Sequence, residues 1–99
     1  MIRHVVSWGL EAQDAAGKAE QAAFVGERLM SLPPLIPEIL HMTVGANEVG
    51  IDGNWDMVLI ADYEDEAALR TYIEHPEHQK VVAVIKPFLA TRSAVDFVV

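Results

Sequence analysis

Between Ile2 and Gly9 the side chains sort by a period of two, with Ile2, His4, Val6 and Trp8 on one face and Val5 on the other, which predicts a strand. The period then lengthens. Ala22, Val25, Leu29 and Leu32 recur at i, i+3, i+7 and i+10, an apolar stripe of helical spacing. That helix is expected to begin at Asp14, whose carboxylate can accept from the first free amides, and to run to about Leu32, where Pro33-Pro34 stops it. Ile39–Glu48 reads as a second strand, and Asn54 or Trp55 to Tyr63 as a third. Between them lies Gly50-Ile51-Asp52-Gly53-Asn54, whose Asp-Gly pair signals a hairpin turn. Asp65 can cap a short helix through Ile73. His75-Pro76 breaks that helix and starts another, with Pro76 at the first helical position, where its missing N–H costs nothing. Val81, Val84, Ile85 and Phe88 continue it, and Ser93–Val99 reads as the last strand.

The order β-α-β-β-α-β, with the second helix broken in two, is the ferredoxin-like α+β pattern: an antiparallel sheet with its helices on one face. A solvated opposite face calls for alternation of apolar with polar. The third strand, Trp55-Asp56-Met57-Val58-Leu59-Ile60-Ala61, is apolar at both parities in its middle, and the second and last strands carry large apolar groups on both sides. One domain has helices enough for one face only. The other is expected to meet a second copy of the chain, sheet against sheet, in a homodimer.

Composition limits the possibilities further. Ninety-nine residues make one domain, here spanning 1–99, and 52% of them are hydrophobic, more than one small core readily hides. The formal charge of −8, with seven scattered Lys and Arg, argues against a nucleic-acid partner, which needs a basic patch. The absence of cysteine excludes a disulfide framework and a thiolate nucleophile. Arg3 and His4 interrupt the apolar start, which has no small-residue cleavage site, and no apolar run reaches the length of a membrane span. The expectation is a soluble, cytoplasmic protein without a membrane partner.

Tyr72-Ile73-Glu74-His75-Pro76-Glu77-His78-Gln79 concentrates the chemistry. With Pro76 opening a helix, His78 stands in its first turn and shares a stripe with Val81 and Ile85, so it points at the sheet. Tyr72 lies beside Leu69 and Ile73 on the inward side of the preceding helix, and His4 can enter the same cleft from the first strand. A histidine beside a phenol in an apolar cleft can remove a weakly acidic proton and polarise a carbonyl, the two tasks of an aldol-type cyclisation. Phe24, Phe88 and either Leu59 or Met57 are candidate walls for an aromatic or polyketide-like ligand. His75-x-x-His78 has the wrong spacing for a helical ligand pair, Pro76 forces His75 out of the helix, and no carboxylate is placed to complete a set, so no metal is expected. The same residues also admit a structural reading, with Tyr72 a core aromatic, His78 a helix-start residue, His4 a satisfied strand histidine and His41 structural or at the dimer face.

Several segments together resemble the stress-responsive A/B barrel (Dabb) domain family of the dimeric α/β-barrel superfamily. They are Ile2-Arg3-His4-Val5-Val6, Ile36-Pro37 followed by Val44-Gly45-Ala46-Asn47, Ala68-Leu69 with Tyr72 to His78, and Val95-Asp96-Phe97. The resemblance covers nearly the whole chain, and its most specific part is the Tyr72/His75-Pro76-Glu77-His78 segment. Pro37-Glu38 departs from the family's usual Pro-Gly. The resemblance implies a homodimer whose two sheets form a barrel, with a pocket between sheet and helices in each subunit. Most such proteins have no assigned reaction. Some related ones are polyketide cyclases that use a tyrosine and a histidine of this segment without metal or cofactor. It therefore implies a cofactor-independent cyclase or lyase with Tyr72 and His78 as catalytic residues. The alternatives are a non-catalytic, ligand-binding or stress-protective dimer and a cofactor-free monooxygenase.

Overall fold

The computed structural model describes all 99 residues. Its elements are β1 (Ile2–Leu10), α1 (Ala15–Leu29), β2 (His41–Ala46), β3 (Met57–Tyr63), α2 (Glu66–Glu74), α3 (Pro76–Ile85) and β4 (Leu89–Val98), with a 3-10 turn over Lys86–Phe88. One sheet in the order β2-β3-β1-β4 has every neighbour antiparallel. This is the ferredoxin-like α+β fold the alternation predicts.

Residues opposed across an antiparallel pair share a face. His4 is opposed by Ala61 and Asp96, Val6 by Leu59 and Ala94, and Trp8 by Met57 and Arg92. On this inner face Val6, Trp8, Met57, Leu59 and Tyr63 are buried with Ala22, Val25 and Leu29 of α1, Leu69 and Tyr72 of α2 and Ile85 of α3. The helical stripe around Val25 is therefore core, as its period predicts.

Several boundaries differ from expectation, each for a local reason. Asp14 occupies the capping position of α1 in an extended conformation, but its carboxylate makes no capping hydrogen bond. The Asp65 carboxylate does cap α2, accepting from the Ala68 amide at 2.8 Å. Helix α1 ends at Leu29 rather than Leu32. Ser31 and Leu32 donate to carbonyls three residues back, a tightening that suits residues ahead of Pro33, which disfavours helix before it. Helix α3 stops at Ile85 because Pro87 has no N–H to donate and clashes with the turn below. Within α3, Val84 is exposed and Val82 faces inward in its place. β4 then starts at Leu89, earlier than Ser93, while β2 is shorter than Ile39–Glu48. β3 begins at Met57, leaving Trp55 exposed outside it. Gly53, at φ +90, makes the turn that the Asp52-Gly53 pair predicts.

The outer face has no helix. Val5, Val58, Ile60, Val95 and Phe97 share it, bordered by Arg3, which pairs with Asp62 through two hydrogen bonds of 2.8 and 3.0 Å. This pairing holds the Asp62 carboxyl below the usual carboxylate range. His41 lies exposed at the same parity of β2. Val98 is opposed to Ile2 and belongs to the helix-side parity, so it is not part of the outer apolar surface.

Candidate functional site

The chain break at His75-Pro76 builds the site. Pro76 donates nothing, and the Glu77 amide, which would otherwise close a helical bond to the Ile73 carbonyl, is taken by His75 Nδ1 at 3.1 Å. The Ile73 oxygen at the end of α2 is thereby left for side chains. Gln79 Nε2 reaches it at 2.7 Å and His78 Nδ1 at 2.9 Å. A carbonyl only accepts, so His78 Nδ1 carries the hydrogen and Nε2 is the basic nitrogen. Burial pushes the His78 pKa below its ordinary value, and nearby His4, Arg92 and His75 push the same way, while the bond to Ile73 opposes them.

Tyr72, on the inward face of α2, lies with its ring centroid 4.3 Å from that of His78. Burial raises its phenol to about 12, with the neighbouring Tyr63 hydroxyl and the Arg92 charge pulling back. The group is a hydrogen-bond donor at any ordinary pH. His4 stands 6.3 Å from Tyr72 and 6.4 Å from Tyr63, edge-on to both rings. Its Nδ1 meets Asp96 Oδ1 at 2.5 Å, across the β1–β4 ladder. The carboxylate accepts, so His4 too presents Nε2 as its free nitrogen. Tyr63 is fully buried 5.1 Å from Tyr72, and its hydroxyl has no hydrogen-bond partner, which holds its pKa high through burial.

A cavity of about 420 Å³ lies between the sheet and the α2–α3 segment, within the range of small-molecule sites. His4, Tyr72 and His78 line it together with Trp8, Leu59, Val82 and Arg92. The structure thus brings together four of the six expected residues: His78, Tyr72, His4 and Leu59. Met57, the alternative to Leu59, is buried elsewhere in the core. Phe24 and Phe88 are not in the wall. They stack edge-to-face on each other at 5.2 Å, with Arg28 over Phe24 at 5.0 Å, because each satisfies its apolar ring against the other at the rim of the core. His75 is a helix cap. No group of three or more His, Asp or Glu side chains is placed to hold a metal ion.

Three contributors escape a reading of the chain: Asp96, Arg92 and the Ile73 carbonyl. The signal for Asp96 was present, an acid in the middle of the apolar run Val95-Asp96-Phe97. Its partner is 92 positions away and emerges only once the β1–β4 register is known.

Fold and site define a ferredoxin-like α+β domain with a mainly apolar, histidine- and tyrosine-bearing cavity between sheet and helices. The chain belongs to the stress responsive A/B barrel domain family, whose profile matches residues 2–99. Among solved structures it is similar to a dimeric ferredoxin-like protein of unknown function from Thermobifida fusca. That protein is 35% identical, the alignment covers 99% of this chain and 90% of that one, and the TM-score is 0.81. The fold is also that of a hydroxynitrile lyase from Passiflora edulis, with 12% identity, 99% and 92% coverage and a TM-score of 0.79. It is shared with SnoaB, a cofactor-independent oxygenase from Streptomyces nogalater, with 16% identity, 99% and 91% coverage and a TM-score of 0.75. No curated protein is similar enough in sequence to match. No helix is long and apolar enough to cross a membrane.

Proposed function

We propose that two copies of this chain pair through their outer sheet faces. Each cavity then binds a small apolar or aromatic, polyketide-like carbonyl compound and acts on it as a cofactor-independent cyclase or lyase. One observation carries the reading: the Tyr72 and His78 rings lie 4.3 Å apart in the wall of a ligand-sized apolar cavity. His78 Nε2, kept neutral by burial, takes a proton from the carbon next to the carbonyl. The electron pair moves onto the carbonyl oxygen, which accepts from the Tyr72 hydroxyl as its negative charge develops. The carbanion is then free to attack a second carbonyl. His78, now carrying the proton on Nε2, returns it to the alkoxide that this attack forms, while His4, fixed by Asp96, lines the same cavity.

The test is a pair of variants assayed on a panel of aromatic β-keto compounds. His78→Ala should lose about 10²- to 10⁴-fold in turnover, on the order of 3–5 kcal/mol of transition-state stabilisation, with fold and dimer intact. Tyr72→Phe, which keeps the ring, should lose less.

A non-catalytic ligand-binding or stress-protective dimer is the second reading. It draws support from the fact that each histidine already commits one nitrogen to a fixed partner, His4 to Asp96 and His78 to Ile73. It expects His78→Ala to lower the melting temperature, Tyr72→Phe to change little, and no compound of the panel to turn over. Cofactor-free oxygenation is a further alternative, suggested only by the fold of the Streptomyces nogalater neighbour.

A further inference from the structure

Seven basic residues stand against fifteen acidic ones in this chain, so a cation without an acidic partner calls for a reason. Arg3, Lys18, Arg70 and Lys80 are each paired with a carboxylate, and Arg28 lies over Phe24. Lys86 and Arg92 remain, with neither an ion pair nor a side-chain hydrogen bond, and both line the cavity that holds His4, Tyr72 and His78. No Asp or Glu lines that cavity. Lys86 sits at the end of α3, where a cation also suits the free carbonyls. Arg92 lies at no helix end; it is exposed to solvent, yet it lines the cavity. It occupies the inner parity of β4 opposite Trp8, and Ala94 leaves room between it and Asp96. Arg92 and Asp96 are four positions apart, roughly 13 Å along β4. The cavity wall therefore presents the Arg92 guanidinium and the Trp8 indole, and also His4, whose Nδ1 is held by Asp96 behind the wall. Asp96 is spent on His4 and does not neutralise Arg92.

We propose that the ligand of this cavity carries a carboxylate, which pairs with Arg92 while its apolar or aromatic body lies against Trp8, Leu59 and Val82 and its reacting carbonyl reaches Tyr72 and His78. A planar guanidinium matches a carboxylate with two parallel hydrogen bonds. Lys86 adds field at the rim rather than a second fork. This deepens the proposed function and rests on the same cavity being the ligand site.

The test compares 2-naphthoate with its neutral counterpart 2-acetylnaphthalene by calorimetric titration of the purified wild-type protein, Arg92→Gln, Arg92→Lys and Lys86→Gln. Wild type should bind the carboxylate at least about tenfold more tightly than the ketone, and the preference should shrink with added salt. Arg92→Gln should abolish the preference while leaving ketone affinity unchanged. Arg92→Lys should keep part of it, and Lys86→Gln should reduce it slightly. Equal binding of the two probes by wild type, or a preference that survives Arg92→Gln, overturns the carboxylate assignment and leaves the cavity standing as the site. Binding of neither probe to a folded protein overturns both.

Discussion

Val95 is the residue on which pairing of the outer faces is most exposed to test. It is 62% exposed, between Phe97 at 44% and, across β1, Ile60 at 36%. Full burial of a valine side chain is worth about 1.5–3 kcal/mol, so covering the exposed part gains about 1–2 kcal/mol. A two-fold interface counts each residue twice, about 2–4 kcal/mol in all. Val95→Asp forfeits this gain and adds the cost of drying two carboxylates. The dimer dissociation constant should rise at least about 30-fold, at 1.4 kcal/mol per decade. The protomer itself should stay folded, since the position is exposed within a single chain. Sedimentation velocity across a dilution series reads the shift, with Val98→Asp as the control on the helix-side parity. A Val95→Asp protein that associates as tightly as wild type, or a wild type that is a cooperatively melting monomer at micromolar concentration, refutes the reasoning.

Three further outcomes follow from the site. Removing the cap with His75→Ala should cost about 0.5–2 kcal/mol and lower the melting temperature by several degrees, and His75→Asn, which restores an acceptor, should recover most of it. Asp96→Ala leaves the buried His4 Nδ1–H without its acceptor, a loss of about 1–3 kcal/mol measurable by denaturant unfolding. His78 has a folded pKa below its ordinary 6.5, so the unfolded chain binds a proton that the folded one resists. Its contribution to stability is full above pH 6.5 and declines as pH falls through that value. An NMR titration of its ring should show a midpoint below 6.5, and a midpoint above it would contradict the neutral-base assignment.

The fold was legible because period and punctuation agree along the chain. Alternation marks β1, helical spacing marks the Val25–Leu29 stripe, and His75-Pro76 marks the break that aims His78 inward. The ends of α1 and α3 were less legible, because the apolar stripe continues past the point where Pro33 and Pro87 end the helix. Within the site, Tyr72, His78 and His4 follow from facing alone. Phe24 and Phe88 also face inward, but sequence cannot distinguish a ring that lines a cavity from one that packs on another ring. Asp96 and Arg92 depend on the β1–β4 register, a long-range property that no local pattern in Val95-Asp96-Phe97 encodes.

The most direct measurement is hydrogen–deuterium exchange of the methyl protons of 2-acetylnaphthalene in D₂O, followed by NMR in the presence of the protein. The experiment needs no knowledge of the natural substrate, because it reads the proposed elementary step itself: removal of a proton next to a carbonyl while the oxygen is held. Wild type should accelerate exchange above the buffer rate. His78→Ala should lose most of that acceleration, and Tyr72→Phe a smaller share. Exchange no faster than buffer, or acceleration undiminished in both variants, would contradict the assignment of base and donor to His78 and Tyr72.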